Sequence, residues 1–320
     1  MLEVFLTVDV EIWCESWDAL DRDFPAAFRR YIYGPTPAGD HALPWLLDLL
    51  GAHGLHGVFF VEPLFAGRFG LAPLAEVVGL IQERGQEVQL HLHTEWADEA
   101  KQRWLPHVTA KRQHLRHFTR REQAVLVQAG RGLLEQAGAP APAAFRAGSF
   151  GFNLDTLAAL RETGIAFDSS YNATLMGGDS GLRPGEIVCE PLGHDGVHEY
   201  PMTVYRDRPG HLRHAQVGAC SFRELEGLLW QALEQGRRGF VILSHCFEAL
   251  NCRKDAPDPI VVARHRKLCR FLERNRDCFQ TRGFRGLAPA SIVAQPPPLR
   301  SPVWKTGERV LEQAWRRRYH

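Results

Sequence analysis

The stretch VFLTVDVE, residues 4–11, is a short run of β-branched, leucine and phenylalanine residues that closes on two acids. A run so apolar and so short reads as a strand buried on both faces, the kind used in parallel sheets. Asp9 and Glu11 stand two residues apart, so on a strand they project to the same side. Like charges held together in a buried place are costly without a cation beside them. The end of this strand is therefore a candidate functional site. A second strand, EVQLHLH at 87–93, ends in His91 and His93, which also share one face, with Glu95 just beyond. Neutral imidazoles and carboxylates are the usual ligands of zinc.

The rest of the chain alternates the same two patterns. Asp40 is placed to cap a helix with Leu43, Leu46, Leu47 and Leu50 on one face, and GVFFVE at 57–62 follows as a strand. Pro73 opens a helix carrying Leu74, Val77, Val78 and Ile81, closed by Gly85. Thr119 with Glu122, and Ser221 with Glu224, are capping boxes for helices running to about Gln136 and Gln235. Between them lie a strand at AAFRAGSF (143–150), a helix from about Asn153 to Glu162 and a strand at IAFD (165–168). Residues 172–198 read as loops with short strands, GFVILSH (239–245) as the last strand, and 260–274 as a helix.

Strands alternating with helices of this length predict βα units and a parallel sheet. Without a GxGxxG or GxxxxGK[ST] loop, a distorted (β/α) barrel of about seven strands fits better than a nucleotide-binding sheet. Residues 1–295 are expected to form the barrel, and 296–320 a Pro-rich linker with a basic C-terminal helix whose RRR forms a solvated face.

In such a barrel the active site lies at the C-terminal ends of the strands. Those ends hold Asp9 and Glu11, His91 and His93 with Glu95, Arg146, Asp168 and His245. Trp13, Trp17, Trp96 and Phe150 are candidates for stacking on a sugar ring or for ordinary packing at the barrel mouth.

Composition narrows the function classes. The 38 basic and 37 acidic residues leave a formal charge of +1, which gives no support for a nucleic-acid or anionic-membrane partner. No run of apolar residues is long enough to span a bilayer, and the N-terminus lacks the features of a signal peptide, so a cytoplasmic location is expected. The seven cysteines are odd in number and show no CxxC spacing, which argues against a disulfide framework or a cysteine-built zinc finger.

TVDVE, the HxH strand, FRAGSFG, FDSS and ILSH occur in the order of the motifs of the polysaccharide deacetylase (NodB-homology) family, over roughly residues 1–250. The chain resembles a divergent member of that family. The resemblance implies a distorted (β/α) barrel and metal-dependent removal of N- or O-acetyl groups from sugars. It makes Asp9 the base and Glu11 a metal ligand, although Val10 stands between them. His91 is a ligand, and Glu95 stands where the family has its second histidine, so the third ligand is His93 or Glu95. Arg146 keeps the arginine of the third motif, Asp168 becomes an orienting acid and His245 the general acid. Zn2+ is the expected metal, with Mn2+, Ni2+ or Co2+ admitted by a carboxylate-containing ligand set. The expected substrate is an acetylated sugar of a cell-surface polysaccharide precursor. Two other readings stay open: a related barrel hydrolase acting on a C–N bond of a small molecule, and a catalytically degraded glycan-binding protein.

Overall fold

A computed structural model describes residues 1–319, with side chains through residue 316. The side chains of Arg317 and Arg318, two thirds of the expected RRR face, lie outside the described residues. The chain divides into two compact units. Met1–Gly57, Tyr205–Arg282 and Leu299–His320 form the first, and Val58–Val204 with Gly283–Pro298 the second.

In chain order, β1 (Leu2–Val10), α1 (Leu20–Phe28), the two-residue strands β2 (Pro35–Thr36) and β3 (Gly39–Asp40), and α2 (Leu43–Ala52) come first. Then follow β4 (Gly57–Val61), α3 (Ala66–Phe69), α4 (Leu71–Gln82), β5 (Glu87–Leu92), α5 (Arg120–Gln136), β6 (Ala144–Ala147) and α6 (Leu154–Glu162). After β7 (Phe167–Asp168), β8 (Leu192–His194) and β9 (Val197–Glu199), the chain continues through β10 (Val204–Arg208), β11 (His211–His214) and α7 (Phe222–Glu234). It ends with β12 (Gly239–His245), α8 (Pro259–Arg274), β13 (Phe279–Thr281), β14 (Leu299–Arg300) and α9 (Val303–Tyr319). The class is α/β, a curled (β/α) half-barrel of mostly parallel strands, as the alternating pattern predicts.

In the first unit, β1 runs parallel to both β12 and β13. Its residues Leu2, Val4, Phe5, Leu6, Val8 and Val10 are all buried, which is why no polar alternation appears in the sequence until Asp9. The register pairs Asp9 with His245, so two candidate catalytic residues share one level at the C-terminal ends of adjacent strands. Trp230 on α7, Phe271 on α8 and Phe279 on β13 pack edge to face or tilted, with ring centroids 4.9–5.8 Å apart. Full burial of side chains such as Phe279 is worth about 1.5–3 kcal/mol each.

In the second unit, β4, β5, β6, β7 and β9 pair in sequence as parallel neighbours, and β8 closes the edge antiparallel to β9. Buried Glu87 begins β5 and accepts hydrogen bonds from Gln89 and from the backbone N–H groups of Phe284 and Arg285. Gln89 in turn accepts from Ala144 N–H at 2.7 Å, fixing β6 beside β5. Helix α5 lies close on β5 because Gly130 has no side chain: a Cβ there would stand 2.7 Å from Leu92.

Both capping boxes form as expected, and Asn153 makes a third with Thr156. Two helix starts differ. Ala42, not Asp40, precedes α2, because Asp40 pairs with Pro35 in the β2–β3 ladder. Helix α4 starts at Leu71, two residues before Pro73, since proline is tolerated anywhere in a first turn, where no helical N–H bond is lost.

Candidate active site

The first unit supplies Asp9, Glu11 and His245. Asp9 and Glu11 are 3% and 8% exposed. The Asp9 carbonyl accepts from Cys246 N–H at 3.1 Å, which continues the β1–β12 ladder one residue past His245. His245 stays partly exposed, with Nε2 at 3.8 Å from Glu11 and Nδ1 at 3.9 Å from Glu248. Burial works against its charge, but the Glu248 hydrogen bond and the charges of Glu11 and Asp9 outweigh that and raise its pKa to about 9. Glu248 accepts further hydrogen bonds from Gln216 and Ser244, at 2.5 and 3.0 Å. Although burial opposes its ionisation, the His245 contact brings its pKa below the ordinary value.

The second unit supplies the histidines. His91 lies within β5 and His93 directly after it in extended backbone, so strand alternation still turns both to one face. Their rings meet edge to face with centroids 4.8 Å apart. His91 Nδ1 donates to the Arg146 carbonyl at 2.8 Å, which fixes the tautomer and leaves the Nε2 lone pair as its ligand atom. The chain then turns into a 3-10 segment, Thr94–Glu99, and Glu95 comes to lie 3.5 Å from His93 Nδ1.

The segment AGSFG is shaped to fit against this histidine. A Cβ on Gly148 would stand 2.6 Å from the Leu92 carbonyl and 2.8 Å from His93 Nδ1. The next two residues, Ser149 and Phe150, both adopt positive φ, 51° and 58°, a conformation non-glycine residues adopt at a cost.

Arg146 is completely buried, its guanidinium 4.3 Å from the centre of the Phe60 ring and donating to the Ser169 carbonyl and hydroxyl. Asp168 is also buried; it accepts from Ser170 and sits in register with Glu199. Burial raises the pKa of both carboxyls; Asp168 raises that of Glu199 further, while the hydrogen bond from Glu199 favours an ionised Asp168, so the pair shares a proton held on the Glu199 side.

Three acids in these clusters were not singled out in the sequence. Glu62 follows β4 directly, accepts from Leu64 N–H, and is pushed by burial up to about 8. Its position at a strand end was a usable signal. Glu199 and Glu248 carried none, since their partners Asp168 and His245 are joined to them by strand register and by a turn. Of the four aromatic candidates, Trp96 is buried against Phe65 and Phe69, which is packing, while Trp13 and Trp17 meet edge to face with their centroids 6.5 Å apart.

No family profile and no curated protein matches the chain. Solved structures do. A Mycobacterium smegmatis structure assigned as a polysaccharide deacetylase superimposes with a TM-score of 0.53 at 19% identity, over 92% of this chain and 95% of that one. The 4-alpha-glucanotransferase of Thermococcus litoralis gives 0.54 at 10% identity, over 92% of this chain and 42% of that one. Two different sugar chemistries on one scaffold mean that the residues of the site, not the scaffold, must decide the reaction. The chain has the fold of the polysaccharide deacetylases.

Proposed function

We propose that the protein is a metal-dependent deacetylase that removes an N- or O-acyl group from a sugar of a cell-surface polysaccharide precursor. The observation that carries this reading is the buried pair His91 and His93 at the end of β5, two imidazoles on one face with ring centroids 4.8 Å apart. Glu11, buried just past the end of β1, is the carboxylate we assign as their fellow ligand. The donors suit a divalent cation: two imidazoles and a carboxylate, with His91 already oriented by a carbonyl acceptor. Zn2+ is the first choice for this set, and Mn2+, Ni2+ or Co2+ the alternatives. When bound, such an ion supplies Lewis acidity towards an acyl oxygen and towards water.

The chain's own groups would do the proton transfers. Asp9 takes the proton from the attacking water as general base. His245, held charged, returns a proton to the leaving amine or alcohol. The resemblance gives the task of holding it charged to Asp168; Glu248, beside its Nδ1, is the carboxylate we assign to it. Arg146 contributes a buried positive charge, and Asp168 with Glu199 supports the segment at Ser169 to which it is bonded. Glu95 orients His93 rather than serving as a ligand. The seven free cysteines suit a reducing compartment, so the cytoplasm is the proposed location.

The test is metal content and acetate release in three variants. Asp9→Asn is expected to retain stoichiometric metal while losing turnover, and Glu11→Ala and His91→Ala to lose the metal. Full activity in Asp9→Asn, or unchanged metal in both ligand variants, would overturn the assignment.

A further inference from the structure

Helix α9 is built inside out. Its polar residues face the first unit: Arg309 is buried and pairs with Asp207 and Glu224 at 2.8 and 3.2 Å. Glu312 pairs with Arg264, and Arg316 with Asp258, both at 2.6 Å. The opposite face is apolar and open to solvent. Val303, Trp304, Val310, Leu311 and Trp315 are 52–72% exposed, and their spacing by seven and four residues puts them on one side of the helix.

This arrangement is costly in water. A contiguous apolar face of this size on a surface helix marks a contact site. Its surroundings say what kind. Arg208 and Arg300 line a cleft with Val303, Arg223 one with Trp304, and Lys267 one with Trp315; all four of these basic residues are exposed. Residues 303–318 themselves hold five basic residues against two acidic. Apolar residues with tryptophan at both ends, flanked by cations, are the composition of a helix that lies in the plane of an anionic bilayer. A two-fold contact with a second copy would bring like charges together around the same stripe. We infer that α9 is a membrane-surface anchor that docks the protein on anionic lipid.

The experiment is flotation of the full chain with vesicles of phosphatidylcholine alone or containing phosphatidylglycerol, at low and high salt. Capture on the anionic vesicles, weakened by salt, is expected, together with a blue shift of tryptophan emission. The variant Trp304→Gln/Leu311→Gln/Trp315→Gln should lose about tenfold or more in vesicle affinity. Its thermal unfolding should be unchanged, since all three side chains face solvent. Should it fail to fold, Arg223→Glu/Lys267→Glu serves instead, and is expected to lose the preference for anionic lipid. Absence of capture, or capture unaltered in the variants, overturns the proposal. A dimer in sedimentation that the triple variant abolishes, without lipid capture, would overturn it in favour of a second copy.

Discussion

At the scale of single residues, polar partners decide what each candidate side chain can do. His245 sits between Glu11 and Glu248, and without those charges burial would leave it neutral near pH 7. Glu248→Gln keeps the shape and removes the charge. It is expected to cut kcat about tenfold or more with metal content unchanged, measured by acetate release beside metal analysis. Gly148 tests the fit around His93. Because a methyl there would overlap the Leu92 carbonyl and the imidazole, Gly148→Ala is expected to displace His93 and weaken metal binding about 10- to 100-fold, read by competition with a chelator.

At the scale of elements, local chemistry accounts for most of what forms. Thr119 accepts from the Glu122 N–H while the Glu122 carboxylate accepts from the Thr119 N–H, satisfying two donors at the start of α5. Thr119→Ala is expected to cost about 1 kcal/mol, seen as a lower urea midpoint with an unchanged slope. Ser221 closes the same box with Glu224, but Glu224 also receives Arg309 from α9. A Ser221→Ala change should therefore cost more than the cap alone, and removal of α9 should lessen that excess.

At the scale of the molecule, stability is tied to buried polar groups. His265 is buried beside Ser244 and Trp45, and burial drives its pKa down to about 4 despite nearby Glu248. The unfolded chain would titrate near 6.5, so between about 6.5 and 4 it binds a proton that the folded chain refuses. His265 alone should accordingly lower stability by about 3 kcal/mol as pH drops through that window, while Glu62 and Asp168, whose pKa values the fold raises, work the opposite way. Urea titrations at pH 7, 5.5 and 4.5 isolate the His265 part as the difference between the protein and His265→Gln, which should shrink as pH falls. The same distinction between local and long-range causes separates what was legible in the residues from what was not. Strand bodies such as VFLTVDV, the capping boxes at Thr119 and Ser221, and the ionisable residues at strand ends follow from periodicity and hydrogen-bonding chemistry within a few residues, and the sequence by itself determined them. The shared proton of Asp168 and Glu199, the orientation of His91 by the Arg146 carbonyl and the inward polar face of α9 were decided only by tertiary structure. Each depends on strand register or on which surfaces meet, and a hydrogen bond or ion pair between residues far apart in the chain leaves no periodic trace in it.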